Sequence, residues 1–217
     1  MIEVVVVLGI IGVLAAAATP SVQAMLEQSR IKGFARDAAN VFQIARSQAI
    51  RTGNNYIVFF GPPGTQDPAG TVLVDVEGTS VPLLILNDGA PSTANCHIDG
   101  GEDIEILGAE IDVGWGVSDL SAVKVPADTG GAPFTAPQSS GSTFSDTSNN
   151  PTNWVLFRPD GVPVGFSQNM TTCGTVGDIG SGGAALYLTN GKRDYAITLS
   201  PLGGVRVHAW VSGAWTQ

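Results

Sequence analysis

The side chains of this chain that carry reactive chemistry by type are few. His97 and His208 are its only histidines, and no Gly-x-Ser-x-Gly motif supplies either with a nucleophile. Each is therefore expected as an ordinary surface or strand residue. Cys96 and Cys173 form neither a CxxC pair nor a Cys/His cluster, which argues against structural zinc and thioredoxin-type exchange. Bridged, they would close a long loop, worth up to ~4.5 kcal/mol in the chain-entropy model; two unpaired buried thiols are the alternative. The glycine-rich GTVGDIGSGG (Gly174–Gly183) is followed by no Lys-Ser/Thr and leads no strand into a helix, so it reads as a loop. Asp99, Glu102, Asp103, Glu105, Glu110 and Asp112 could chelate calcium by type, but they lack EF-hand spacing and a solvated acidic loop is expected. No catalytic residue, cofactor or metal is expected, and the chain is not read as an enzyme.

One more acid matters for its position. Glu3 opens the run MIEVVVVLGIIGVLAAAATP, and from Val4 to Leu26 no residue is charged. At 1.5 Å rise per residue this stretch is long enough to cross a bilayer core. Three readings compete. A cleavable secretory signal wants a basic region ahead of its apolar core and none precedes this one, although Ala15–Ala18 offers small residues that mimic a cleavage site. A plain membrane anchor leaves Glu3 as an unexplained cost in lipid. A helix that sits first in a membrane and later in a protein assembly gives the carboxylate a partner on a neighbouring chain.

The elements behind this segment favour the third reading. The helical pattern continues past Pro20, with Ile31, Phe34, Ala35, Ala38, Val41, Phe42, Ala45 and Ala49 on one face. Arg30, Lys32, Arg36, Asp37, Asn40, Gln43, Arg46 and Ser47 take the other. Thr52-Gly53-Asn54 ends the pattern, and Arg46 and Arg51 suit the negative end of a helix. The spacing predicts one helix of about 50 residues, roughly 75 Å long. Its half 1–26 is apolar and its half 27–53 amphipathic; Gly9, Gly12 and Pro20 are points where it can bend or locally melt.

Ile2-Glu3, Gly9, Gly12, Ala15–Ala18 and Pro20 resemble, in identity and spacing, the mature N-terminus of type IV pilins and type II secretion pseudopilins. ARSQAIRTGNNYIVFF (Ala45–Phe60), NWVLFRPDGVPVGF (Asn153–Phe166) and RDYAITLSPLGGVRVHAW (Arg193–Trp210) resemble the GspH/FimT type of minor pseudopilin. The resemblance implies a long helix packed by its second half against an antiparallel β-sheet head. It implies residence in the bacterial inner membrane as a single-pass protein, then a periplasmic or cell-surface filament. Partners would be copies of the chain or homologous pilins, an inner-membrane assembly platform and a prepilin peptidase. Glu3, Gly9, Gly12 and Pro20 would serve subunit assembly, with Glu3 meeting the N-terminal amine of an adjacent subunit. The resemblance also implies DNA contact for Lys192, Arg193 and Arg206, the last in a Gly-x-x-Arg context (Gly203–Arg206). Ordinary surface charge is the competing reading.

Residues 54–217 read as that head. Strands are predicted at Tyr56–Phe60, Thr71–Val76, Val81–Leu86, Ile104–Leu107, Trp154–Arg158, Val162–Phe166, Ala184–Thr189, Tyr195–Ser200 and Val205–Val211. Pro159-Asp160-Gly161, Asn190-Gly191 and Pro201-Leu202-Gly203-Gly204 mark tight reversals. Such close spacing favours antiparallel meanders over βαβ units, so the class is α+β. Residues 126–153 are rich in Gly, Pro, Ser and Thr and read as an exposed loop.

Charge bounds the partners. Residues 1–51 are slightly cationic, whereas most of the 19 acids fall in residues 52–217, beside five basic residues. An acidic head repels phosphate backbones, so a nucleic-acid partner is not expected. The charged fraction of only 13%, with 28 Gly and 13 Pro, fits a loop-heavy β-domain outside a cell. The leading expectation is a structural filament subunit, a minor one from the resemblance. A major pilin, or a DNA-uptake minor pilin, is the alternative.

Overall fold

The computed structural model describes residues 2–74, 78–108, 113–118, 141–146, 148, 150–167, 173, 176–177 and 184–216; within the helix, the side chains of residues 2, 5, 6, 8, 9 and 12–21 lie outside that description. Helix α1 (Ile2–Thr52) is followed by strands and turns to the end of the described chain. It runs through Gly9, Gly12 and Pro20 as one uninterrupted helix, so the local melting anticipated there is not seen. Its end follows the sequence: Gly53 takes φ +73°, open to a residue without Cβ, and donates its N–H to Ala49 O at 3.0 Å.

The strands are β1 (Tyr56–Phe60), β2 (Leu83–Asn87), β3 (Ile104–Leu107), β4 (Gly114–Trp115), β5 (Trp154–Phe157), β6 (Pro163–Phe166), β7 (Val176–Gly177), β8 (Ala184–Thr189), β9 (Asp194–Leu199), β10 (Val205–Val211) and β11 (Ala214–Thr216). They form two sheets rather than one, ordered β3-β2-β1-β5-β6-β7 and β11-β10-β9-β8-β4. Every pairing is antiparallel. The fold is α+β.

The second half of α1 presents Ile31, Phe34, Ala35, Ala38, Phe42, Ala45 and Ala49 to both sheets, which close around it. Alternation along each strand decides what meets the helix. In β1, Tyr56, Val58 and Phe60 face it, while Ile57 and Phe59 turn into a second core with Leu84, Leu86, Trp154, Leu156 and Phe166. With both faces covered, β1 is apolar throughout rather than alternating.

Three expectations are revised. Of the strand expected at Thr71–Val76, the described residues 71–74 form none: residues 72 and 74 make only isolated bridges to Gln66 and Ser80, and residues 75–77 lie outside the described residues. The short strands β4, β7 and β11 were not anticipated, because two or three residues carry no readable period. The presumed exposed loop 126–153 divides. Residues 126–140 lie outside the described residues, whereas Phe144 is buried in the helix core, its ring 6.0 Å from Phe42 and 4.8 Å from Phe60. Asp146 and Thr152 are buried beside it, because one aromatic anchor carries its polar neighbours inside, where their own hydrogen bonds satisfy them.

Candidate assembly surface

Packing of α1 against the head begins at Ile31. Before it the described apolar side chains are uncovered: Val4, Val7, Ile10, Ile11, Val22, Met25 and Leu26 are each between 53% and 75% exposed. Glu3, in the first helical turn, is exposed as well, and its charge is favourable at a helix N-terminus. Gly9, Gly12 and Pro20 lie on the same projecting half. Among the described residues no helix is long and apolar enough to cross a membrane; much of the uncharged stretch Val4–Leu26 falls on side chains outside that description.

The rod is locked to the head by Arg46. Its Nε donates to Gly161 O at 3.1 Å and its Nη1 to Gly203 O at 3.1 Å. Gly161 closes the β5–β6 turn and Gly203 the β9–β10 turn, so one guanidinium on the helix ties together a hairpin from each sheet. Both glycines have positive φ, +75° and +80°. A Cβ on Gly203 would stand 2.7 Å from Arg46 Nε and 2.8 Å from Gly161 O, which explains a glycine in the Gly203–Arg206 motif by helix contact. Lower on the helix, Glu27 pairs with Lys192 in the β8–β9 turn.

The basic trio does not converge. Lys192 is engaged by Glu27, and Arg193 sits beside it at one end of β9. Arg206 pairs in register with Thr198 near the other end, about 14 Å along the strand. His208 is buried on β10 with Nε2 3.3 Å from Thr198 Oγ1, a strand histidine as anticipated.

Cys96 and Cys173 are joined, with Cα atoms 4.8 Å apart, which removes the alternative of two thiols. Asp88 lies behind the bridge, accepting the N–H groups of Asn95 and Cys96. These bonds help hold Cys96 at φ +63°, a conformation unfavourable for any residue with a Cβ. Burial pushes the Asp88 carboxyl up, against the opposing pull of those two amides. Asp88, Cys96 and Cys173 are the only described group close enough to share a metal ion, and the disulfide removes both thiolates.

The acidic stretch satisfies itself in part. Glu102 accepts the Asp99 N–H at 2.7 Å, His97 Nε2 stands 3.5 Å from Asp99, and burial pushes the Glu102 carboxyl up. Asp103 and Glu105 are exposed on the flank of β3; Glu110 and Asp112 lie outside the described residues. Of the glycine-rich stretch, only Cys173 beside it and β7 within it are described.

Three working side chains were missed by sequence reasoning. Arg46 looked like one more exposed helix cation, and nothing local tells it from Arg36. Asp67 and Asp146 did carry a signal, each an aspartate two residues before an Asx-type turn. Asp67 accepts from Ala69 and Thr71 and, across the chain, from Ile98; Asp146 accepts from Ser148 and Asn150.

Comparison with protein-family models, with curated proteins and with solved structures finds no match to this chain.

Proposed function

We propose that the protein is a structural subunit of a type IV pilus-like or type II secretion pseudopilus filament, a minor (pseudo)pilin by its sequence resemblance. The observation that carries this reading is the projecting half of α1. A continuous helix extends beyond the apolar core that ends at Ile31, and seven large apolar side chains described before that point are exposed. Burying them is worth on the order of 10 kcal/mol. Water does not hold such a surface open at functional concentrations, so the rod belongs first in the inner membrane and then among the helices of copies or homologous pilins. There Glu3 exchanges its solvent for the amine of an adjacent subunit, a desolvated pair that also sets axial register. The Arg46 tie and the cysteine bridge suit a head that must follow the rod when the assembly platform extracts it.

The test is substitution at Glu3. Glu3→Ala and Glu3→Leu are expected to leave a stable, membrane-resident protein that is absent from purified filaments. Incorporation of either variant at the wild-type level refutes the pairing. Wild-type protein that is never found in filaments refutes the subunit reading itself.

A further inference from the structure

Two exposed charge pairs have matching pitch and no ion pair within the subunit. Lys32 and Arg36 stand one helical turn apart on the outer face of α1, about 6 Å along its axis. Asp103, immediately before the edge strand β3, and Glu105 within it stand two residues apart, about 7 Å along the extended chain and on one side of the pleat. All four are exposed, and among the described residues neither pair makes a salt bridge.

β3 lies against the upper end of the packed helix. A groove of about 250 Å³ joins Asp103, Ile104 and Glu105 to Gln48 and Arg51. A second, of about 240 Å³, joins Glu105, Ile106 and Leu107 to Asp37, Asn40 and Ile44. β3 therefore descends as α1 ascends, with Asp103 nearest the helix C-terminus. Arg36 lies about 20 Å along the helix below the level of Asp103, and among the described residues neither Lys32 nor Arg36 pairs with the acids of its own subunit. Ile104 and Ile106, each 42% exposed, alternate with the acids and lie on the other face of β3, and among the described residues no strand pairs with its outer side.

We propose that this edge is one half of a heterologous contact between copies of the chain: Arg36 and Lys32 of one subunit pair with Asp103 and Glu105 of the next. The inference rests on the filament reading above and, because the contact repeats between copies, on the alternative in which this chain forms the filament's length. With subunits parallel, Arg36 meets Asp103 and Lys32 meets Glu105, and the upper copy is displaced by about 20 Å along the axis. Because the two patches differ and lie at different heights, the contact does not close on itself but propagates, as a helical fibre requires. The acidic head and the cationic second half of the helix thereby become complementary surfaces.

The experiment expresses the full-length chain as its only copy in a host that carries the assembly machinery. The fraction recovered in sheared filaments is compared for the wild type, for Lys32→Glu with Arg36→Glu, for Asp103→Lys with Glu105→Lys, and for all four changes together. Each one-sided reversal is expected to lower incorporation at least about tenfold, and the four-fold variant to recover to within about twofold of wild type. Arg36→Cys with Asp103→Cys is expected to give oxidative ladders between subunits. One-sided reversals that assemble normally overturn the contact and leave the filament reading intact. A four-fold variant that is not rescued also overturns it. Where only the Lys32/Arg36 reversal is defective and lowers membrane retention, those cations serve lipid headgroups instead. A wild type absent from filaments overturns both proposals.

Discussion

Replacing Gly203 by alanine tests whether the helix holds the two sheets together through Arg46. Three effects contribute. The left-handed backbone, φ +80°, costs an alanine about 1 kcal/mol. The new Cβ would stand 2.8 Å from Gly161 O, a backbone atom, and 2.7 Å from Arg46 Nε, so the guanidinium must withdraw. Its two hydrogen bonds, charge-assisted and half-buried, are together worth about 2 kcal/mol. The expected total is at least about 3 kcal/mol, the shift forced at Gly161 O adding to the strain and the lost hydrogen bonds. Gly191 supplies the control, since it has φ +76° but nothing within 4 Å of its would-be Cβ. Gly191→Ala therefore carries the backbone strain alone, about 1 kcal/mol. The assay is urea unfolding of the full chain in detergent, read at the denaturation midpoint with an unchanged slope. A cycle with Arg46→Ala isolates the coupling: once the clamp is gone, Gly203→Ala is expected to cost about 2 kcal/mol less than in the wild type, the remainder exceeding Gly191→Ala because the approach to Gly161 O persists. Equal costs for Gly203→Ala and Gly191→Ala in the wild-type background would refute the clamp.

Phe144→Ala is expected to cost about 3–5 kcal/mol, a drop visible in thermal unfolding, because the ring is buried against Phe42 and Phe60; a loss under 1 kcal/mol would return this stretch to the surface. Two aspartates set opposite pH trends. Burial raises Asp88, so its stabilising contribution is full below the unfolded pKa and is lost as pH rises through the higher folded one; Asp88→Asn should make stability rise more steeply with pH across that window. For Asp146 burial works against ionisation, but hydrogen bonds from the Asn150 side chain and the Asn150 and Ser148 amides outweigh it and leave the carboxyl below its usual range. Its contribution is present above the unfolded pKa and is lost as pH falls through the folded one. Denaturation midpoints from pH 2 to 7 for Asp146→Asn are expected to show less acid loss than wild type, and an unchanged profile would dismiss the carboxylate's role.

Local chemistry wrote much of the fold openly. The period of Ile31, Phe34, Ala35, Ala38, Phe42, Ala45 and Ala49 is that of an α-helix with one covered face, and those residues are buried together. Pro159-Asp160-Gly161, Asn190-Gly191 and Leu202-Gly203 each offer a glycine where the backbone turns left-handed, and each closes a hairpin. The strands they join are therefore legible, β8 and β10 to the residue and β5, β6 and β9 to within one. The candidate site is legible in the same way at its apolar end, where a charge-free run follows one acid.

What the sequence by itself determined is whatever depends on neighbours a few residues apart: helix, hairpins, the projecting apolar half and its lone Glu3. Tertiary structure alone decided which strands share a sheet, that the strands divide into two sheets closing on one helix, and that Phe144, in a stretch resembling a solvated loop, belongs to the core. It alone turned Arg46 from a surface cation into a tie between Gly161 and Gly203, 115 and 157 residues away in the chain. The reason is physical. Turns and helical faces are short-range properties of the backbone, whereas a strand's sheet partner, a burial or a hydrogen bond across the chain is set by packing that a local pattern does not encode.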